Sequence, residues 1–337
     1  MMKMLMFDFR DSEKKFFEDR VFTDIDITFY KEPLTENFEL LPKELDETDV
    51  ICVAPSSNLT SDILEKFKNL RTVATRSTGY NHINIKYCIE KNIAVYNVEA
   101  YGKTAVAEYT TGLLIALVRN MLPAIFDMKN NKADYAEYEG KVLHNLTIGL
   151  IGCGAIGSAM ANIAHFFGMK VLVNSYIKNK EIENKCDFVS LEELIKNSDV
   201  ISLHLPYTED NYHMIGEKEF QLMKEGVFII NTSRGELIDT ELLYENLLNK
   251  KVKAAALDVL ECEYLSTHPS LQLKALKDSK ENCIKNALLT QKLLSMNNVI
   301  ITPHIAYNTT ESVNYILETT FNSIRDNVKG IYNNRVC

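Results

Sequence analysis

Residues Leu150–Tyr176 read LIGCGAIGSAMANIAHFFGMKVLVNSY, and this stretch decides the fold. An apolar run, LTIGLI, leads into Gly152, Gly154 and Gly157, spaced G-x-G-x-x-G with Ala155 and Ile156 inside the turn. A helical pattern follows, and then a second apolar run, MKVLV. Strand, glycine turn, helix and strand in that order make a βαβ unit suited to a dinucleotide. The first glycine permits a tight turn, the second lets the backbone approach a pyrophosphate, and the third lets helix pack on strand. The phosphates then meet the helix amino terminus, where free N–H groups and the helix dipole favour an anion. The glycine spacing alone would fit a plain turn equally well; the flanking elements tip the reading toward a dinucleotide. One feature is missing. The second strand ends in Asn174, Ser175 and Tyr176, where an acid would otherwise bond the ribose 2′-hydroxyl of NAD.

The same rhythm extends outward in both directions. Strand-like runs (KMLMFDF, DIDITFY, VICVA, RTVAT, IAVYNV, then LTIGLIG, MKVLV, DVISLHLP, GVFIIN, KAAALDV, NVIITPH) alternate with helical patterns such as TSDILEKFKNL, SLEELIKNS and DTELLYENLLNKK. Such alternation predicts an α/β protein with parallel, doubly wound sheets. A long helical stretch, KTAVAEYTTGLLIALVRN, interrupts it after Tyr101. After His304 only one further helical stretch remains, and a lone helix needs a sheet to pack on. The expectation is therefore two domains, residues 1–101 with 305–337 and residues 102–304, with the chain crossing twice and a cleft between them.

Composition narrows the function classes. Among 337 residues, 46% are apolar and 25% charged, as in ordinary globular proteins. A net charge of −9 argues against a nucleic-acid binder, which needs clustered Lys and Arg. No run of 18 apolar residues predicts a membrane span, and MMKMLMFDFRD reads as a first strand rather than a secretory signal. The 7 cysteines are odd in number, scattered and without a C-x-x-C pair. They are expected to be reduced thiols in a cytoplasmic protein, neither a disulfide framework nor a metal site.

Three further stretches lie at ends of predicted strands, where open α/β sheets collect their ligands. INTSRG carries Arg234, whose guanidinium could hold a carboxylate through two parallel hydrogen bonds. LDVLECE carries Asp258, Glu261 and Glu263, and ITPHIAY carries His304. Each has a blander reading: a surface arginine, solvated loop charge, a structural histidine. Together they are complementary. Hydride transfer to an α-keto acid needs a carboxylate clamp, a proton donor active near neutrality, and an acid to support that donor.

TRSTGYNHI, KTAVAEYTTGLLIALVRN, GLIGCGAIG, HLPYTEDNYHMIG, INTSRGELID, AALDVLECE and NVIITPHIAY, spread over nearly the whole chain, resemble the D-isomer-specific 2-hydroxyacid dehydrogenase family. Within it the D-lactate dehydrogenase branch is the most similar. TRSTGYNHI and the long stretch before TPH are also similar to the D-lactate dehydrogenases of vancomycin-resistance clusters. The resemblance implies two Rossmann-like domains, the cofactor domain inserted into the substrate domain, and a homodimer formed largely through the long helix after Tyr101. It also implies roles. Arg234 would bind substrate, Glu263 would pair with the catalytic histidine, and His304 would be the proton donor and acceptor. Thr78, Gly79, Tyr101 and Tyr307 would face the substrate. Gly152, Gly154, Ala155, Ile156, Gly157, Ser175, Pro206, Thr232 and Asp258 would serve the cofactor, Asp258 at the nicotinamide end.

Two departures from the family pattern stand out. Ser175 stands where NAD-using relatives carry aspartate, so NAD(H), NADP(H) or both are expected, with Lys178 near enough in sequence to help a 2′-phosphate. The segment between Glu263 and His304, including KENCIKNALLTQKLLSM, is longer than in many relatives and is expected to cover part of the cleft. The leading expectation is reduction of a small 2-keto acid, pyruvate first, to the D-hydroxy acid. The alternatives are a larger branched or aromatic 2-keto acid and, from another class, a non-catalytic dinucleotide sensor.

Overall fold

Parallel strands form two sheets in the computed structural model, which describes residues 1–99, 101–132, 134–263, 281–328 and 330–337. The first sheet holds β1 (Met2–Met6), β2 (Ile25–Phe29), β3 (Val50–Val53), β4 (Thr72–Thr75) and β5 (Ala94–Tyr96), ordered β2-β1-β3-β4-β5. The second holds β6 (Thr147–Ile151), β7 (Lys170–Asn174), β8 (Asp187–Phe188), β9 (Val200–Leu203), β10 (Val227–Asn231), β11 (Val252–Leu257) and β12 (Val299–Ile301), ordered β12-β11-β10-β9-β6-β7-β8. Two compact units contain them, Met1–Tyr101 with Asn308–Cys337, and Gly102–Tyr307. Residues 305–307 thus belong to the second unit.

Every residue of β3, β4, β5, β9 and β10 is buried, as a parallel sheet covered on both faces requires. Successive side chains alternate between the faces. In the first unit Leu5, Ile51, Val73 and Val95 pack with Ile63, Leu64 and Cys88. Met4, Met6, Cys52 and Ala74 point the other way, onto Leu317, Phe321 and Ile324 of the helix Thr310–Val328. In the second unit Ile148, Leu150, Val171 and Val173 pack with Leu113, Leu114 and Leu117 of the helix Lys103–Val118 and with Met160 and Ala164 of the helix Ala155–Phe166. The opposite face is covered by Leu194, Ile195, Phe220, Leu243 and Leu247.

Several elements differ from the sequence reading. The edge strand β8 has two residues and no alternation to betray it. TSDILEKFKNL is helical only over Ser61–Leu64. The long helix ends at Val118, and Asn120, left-handed at φ 51, opens a separate helix, Met121–Lys129. The stretch KENCIKNALLTQKLLSM supplies the helix Glu281–Leu294, whereas residues 264–280, part of the proposed cover, lie outside the described residues. Among the described residues no single helix is long and apolar enough to cross a membrane.

The expectation of seven reduced thiols is corrected. Cys262 and Cys283 form a disulfide, with Cα atoms 5.4 Å apart, well inside the range such a bond spans. The fold brings the segment after β11 beside the helix Glu281–Leu294, a proximity that cysteine counting does not reveal. Cys52, Cys88, Cys153, Cys186 and Cys337 are free thiols.

A buried histidine, His204, and a half-buried one, His82, couple the fold to pH. His204 shares a hydrogen bond of 2.9 Å between Nε2 and the Ser202 hydroxyl, while its buried Nδ1 has no partner among the described residues. Burial pushes His204 from 6.5 down to about 4 and does the same to His82. Between those values the unfolded chain binds protons at both positions and the folded chain does not. Their contribution is therefore complete above pH 6.5 and is lost as the pH falls toward about 4. For His204 the loss is on the order of 3 kcal/mol. Thermal melts across this window should show Tm falling with acidification, and less steeply in His204→Gln. A mutant slope equal to that of the native chain would contradict the assignment.

Candidate active site

The glycine turn divides its three glycines between two demands. Gly152 has φ +97, and a Cβ there would stand 2.4 Å from the His204 carbonyl oxygen. A Cβ on Gly157 would stand 2.2 Å from the Gly152 carbonyl oxygen. Both positions are compelled by packing. Gly154, the N-cap of the helix Ala155–Phe166, has no such neighbour within 4 Å among the described residues, so its bareness keeps space open at the helix amino terminus. That open cradle, lined by backbone N–H groups, fits a dinucleotide pyrophosphate.

The neighbouring strand ends carry the other expected cofactor residues. Ser175 follows β7, and its hydroxyl accepts from the Ile177 N–H at 3.2 Å. Lys178 is exposed, with Nζ 6.0 Å from the centre of the Phe188 ring. Pro206 follows β9, and its carbonyl accepts from Asn211 at 2.9 Å. Thr232 follows β10, its hydroxyl 3.0 Å from that of Thr110.

Arg234 sits in the turn after β10. The Asn231 side chain donates to the Arg234 carbonyl at 2.8 Å and accepts from the Ser233 N–H at 3.0 Å, which fixes the turn. One guanidinium nitrogen donates to the Ser233 carbonyl at 2.7 Å. His304 follows β12 at φ 54, with Nδ1 3.0 and 3.1 Å from the two carboxylate oxygens of Glu263. A carboxylate at Nδ1 sets the tautomer and leaves Nε2, on the opposite edge of the ring, to exchange a proton. The Tyr307 ring stands edge-on to His304, centroids 6.4 Å apart. The first unit carries Thr78, Gly79 and Tyr101. The Asn97 side chain donates to the Thr78 carbonyl, the Ser77 hydroxyl to the Gly79 carbonyl, and the Ser312 hydroxyl to the Tyr101 carbonyl.

Asp258, expected at the nicotinamide end, is enclosed by the protein. It is 1% exposed, and its oxygens accept from the Thr302 hydroxyl and from the N–H groups of Ile305 (3.0 Å) and Ala306 (2.8 Å). Its carboxylate braces the loop that presents His304. The sequence reading also missed His213 and Thr240. Both fell inside or beside quoted motifs, but nothing local shows that they meet Glu261, to which His213 and Thr240 hydrogen-bond.

A glycine turn open at a helix amino terminus, an arginine and a His–Glu pair thus stand at the ends of parallel strands in one sheet, the setting of a dinucleotide-dependent enzyme. The family model described as "D-isomer specific 2-hydroxyacid dehydrogenase, NAD binding domain" matches residues 111–306. An aromatic 2-oxoacid reductase of Clostridium sporogenes is 37% identical over 86% of each chain. The D-lactate dehydrogenase of Lactiplantibacillus plantarum is 32% identical over 96% of this chain and 95% of its own. The crystal structure of D-lactate dehydrogenase from Aquifex aeolicus, complexed with NAD and lactic acid, superposes with a TM-score of 0.83 at 36% identity, covering 97% of this chain and 96% of the other. The chain belongs to the D-isomer-specific 2-hydroxyacid dehydrogenase family, enzymes of 2-keto and D-2-hydroxy acids that use a nicotinamide cofactor.

The glycines separate by experiment. Gly152→Ala should lower Tm, because strain at positive φ adds to a backbone clash. Gly154→Ala should melt like the native chain yet bind NADH more weakly, read by nucleotide fluorescence, because its Cβ occupies the open cradle. Native affinity in Gly154→Ala would remove that position from the cofactor site.

Proposed function

We propose that the protein reduces a small 2-keto acid, pyruvate first among candidates, to the D-2-hydroxy acid. The observation that carries this reading is the Glu263–His304 contact, at 3.0 Å on Nδ1, with an arginine held in the turn at the end of a neighbouring strand. Arg234 grips the substrate carboxylate as a fork and orients the keto group. His304 gives its Nε2 proton to the carbonyl oxygen, and Glu263 stabilises the imidazolium that precedes this step. The bound reduced nicotinamide supplies the hydride. Thr78, Gly79, Tyr101 and Tyr307 are assigned to the substrate by family resemblance. The protein is further proposed to be a homodimer, for which the exposed Met121, Leu122, Ile125, Phe126 and Met128 offer an apolar surface.

A second reading, a larger branched or aromatic 2-keto acid, is favoured by the aromatic 2-oxoacid reductase relative. The sensor reading is disfavoured, since a sensor has no need of Arg234, Glu263 and His304 together. Loss of NADH absorbance with pyruvate, 2-ketoisocaproate and phenylpyruvate separates the three readings by rank or by silence. His304→Ala should lose roughly 10²–10⁴-fold in kcat with cofactor affinity kept. Arg234→Lys should raise KM for the keto acid and lower kcat. Near-native turnover by His304→Ala at neutral pH would end the mechanism.

We also propose relaxed cofactor choice. Ser175 can bond a ribose hydroxyl or a phosphate oxygen and repels neither, whereas a carboxylate there would repel a 2′-phosphate. Like charges juxtaposed in a recognition site cost several kcal/mol. Ser175→Asp should therefore suppress kcat/KM with NADPH and spare NADH. If the native chain already rejects NADPH as strongly as the mutant, the discrimination lies elsewhere.

A further inference from the structure

Two residues before the acid that meets His304 stands a second carboxylate that the proposed reaction does not use. Glu261 is 4% exposed, and a carboxylate so enclosed needs compensating donors. Its Oε2 accepts from the Thr240 N–H at 3.2 Å and from the Thr240 hydroxyl. Its Oε1 lies 2.8 Å from His213 Nε2 and 3.5 Å from the Tyr212 hydroxyl. Thr240 opens the helix Thr240–Leu248, so Glu261 sits at a helix amino terminus, where the dipole favours an anion.

The surrounding residues are themselves held. Asp239 caps the same helix by accepting from the Leu242 N–H, and its Oδ2 lies 3.2 Å from His213 Nδ1. His213 therefore has a carboxylate at each ring nitrogen, and the Tyr212 ring stacks on it at 3.9 Å. The Leu260–Glu261 backbone also passes so close to Gly235 that a Cβ there would come within 2.0 Å of the Leu260 carbonyl carbon. Arg234 adjoins one side of this contact. On the other, Cys262 turns the chain at φ 48 and delivers Glu263 to His304.

We propose that Glu261, gripped by His213, Thr240 and the helix amino terminus, is a positioning residue that anchors the Leu260–Glu263 segment. It keeps Glu263 on His304 Nδ1 and in register with Arg234. This rests on the roles given above to Glu263 and His304, and it adds that their alignment is set by a second acid that touches no reactant.

The test compares pH profiles of kcat for keto-acid reduction in the native enzyme, Glu263→Gln, Glu261→Gln, His213→Ala and His213→Gln. Reduction needs the imidazolium, so losing its facing carboxylate moves the alkaline limb to lower pH. Glu263→Gln should show that displacement. Glu261→Gln should show it too, with kcat reduced by up to about 100-fold and KM for NADH unchanged. His213→Ala should follow in the same direction, and His213→Gln, whose amide still donates to Glu261, should restore the native limb. If Glu263→Gln is displaced while Glu261→Gln and His213→Ala keep the native limb, Glu261 is merely structural and the proposal falls. If Glu263→Gln itself is not displaced, the acid-pair reading fails first and takes this one with it. Should Glu261→Gln not fold, His213→Ala decides alone, since the His213 side chain is 25% exposed and its removal leaves no large core void.

Discussion

A parallel sheet buried on both faces has room for polar groups only beyond the ends of its strands. The second unit follows from that constraint. Gly152 comes after β6, Ser175 after β7, Pro206 after β9, Arg234 after β10, Asp258 and Glu263 after β11, and His304 after β12. The strands are parallel, so all these ends lie along one edge of the sheet. The order β12-β11-β10-β9-β6-β7-β8 puts the glycine turn near the middle, Ser175 toward one side and Arg234, Glu263 and His304 toward the other. Arg234, Glu263 and His304 are far apart in sequence, yet they leave three neighbouring strands spaced about 4.8 Å apart.

The loop after β11 shows how one short stretch carries three carboxylates with three distinct environments. Asp258 is fully enclosed and holds the Thr302 hydroxyl before His304 and the Ile305 and Ala306 N–H groups after it. Glu261 is enclosed on the opposite side, against a helix amino terminus and an imidazole. Glu263 is partly open and meets His304 directly. The first two carboxylates accept from backbone N–H groups, and the third meets an imidazole. A cluster that composition would class as solvated charge is thus mostly interior.

The disulfide adds a covalent tie to the same place. Cys262 lies between Glu261 and Glu263, and its bond to Cys283 joins this turn to the helix Glu281–Leu294. The turn is thereby held by hydrogen bonds at Glu261, by a disulfide at Cys262 and by the hydrogen bond to His304 at Glu263. Three consecutive residues have three independent attachments.

Much of this was legible in the chain itself, because it is encoded locally. The βαβ unit around Gly152, Gly154 and Gly157 follows from apolar runs and glycine spacing, and the same alternation announced most of the strands. Arg234 and His304 could be singled out because strand-end residues of complementary chemistry are few, whereas Glu263 was distinguished from Asp258 and Glu261 only by family resemblance. Other features had no local signature. Strand β8 is too short to show a period, and the break at Asn120 hides inside an apolar stretch. The burial of Glu261, its contacts with His213 and Thr240, the bracing role of Asp258 and the Cys262–Cys283 bond each join residues separated by 20 or more positions. Sequence therefore determined which elements form and where chemistry could gather. Only tertiary structure decided which of several equivalent acids and cysteines found partners, because burial and pairing depend on what the fold brings alongside.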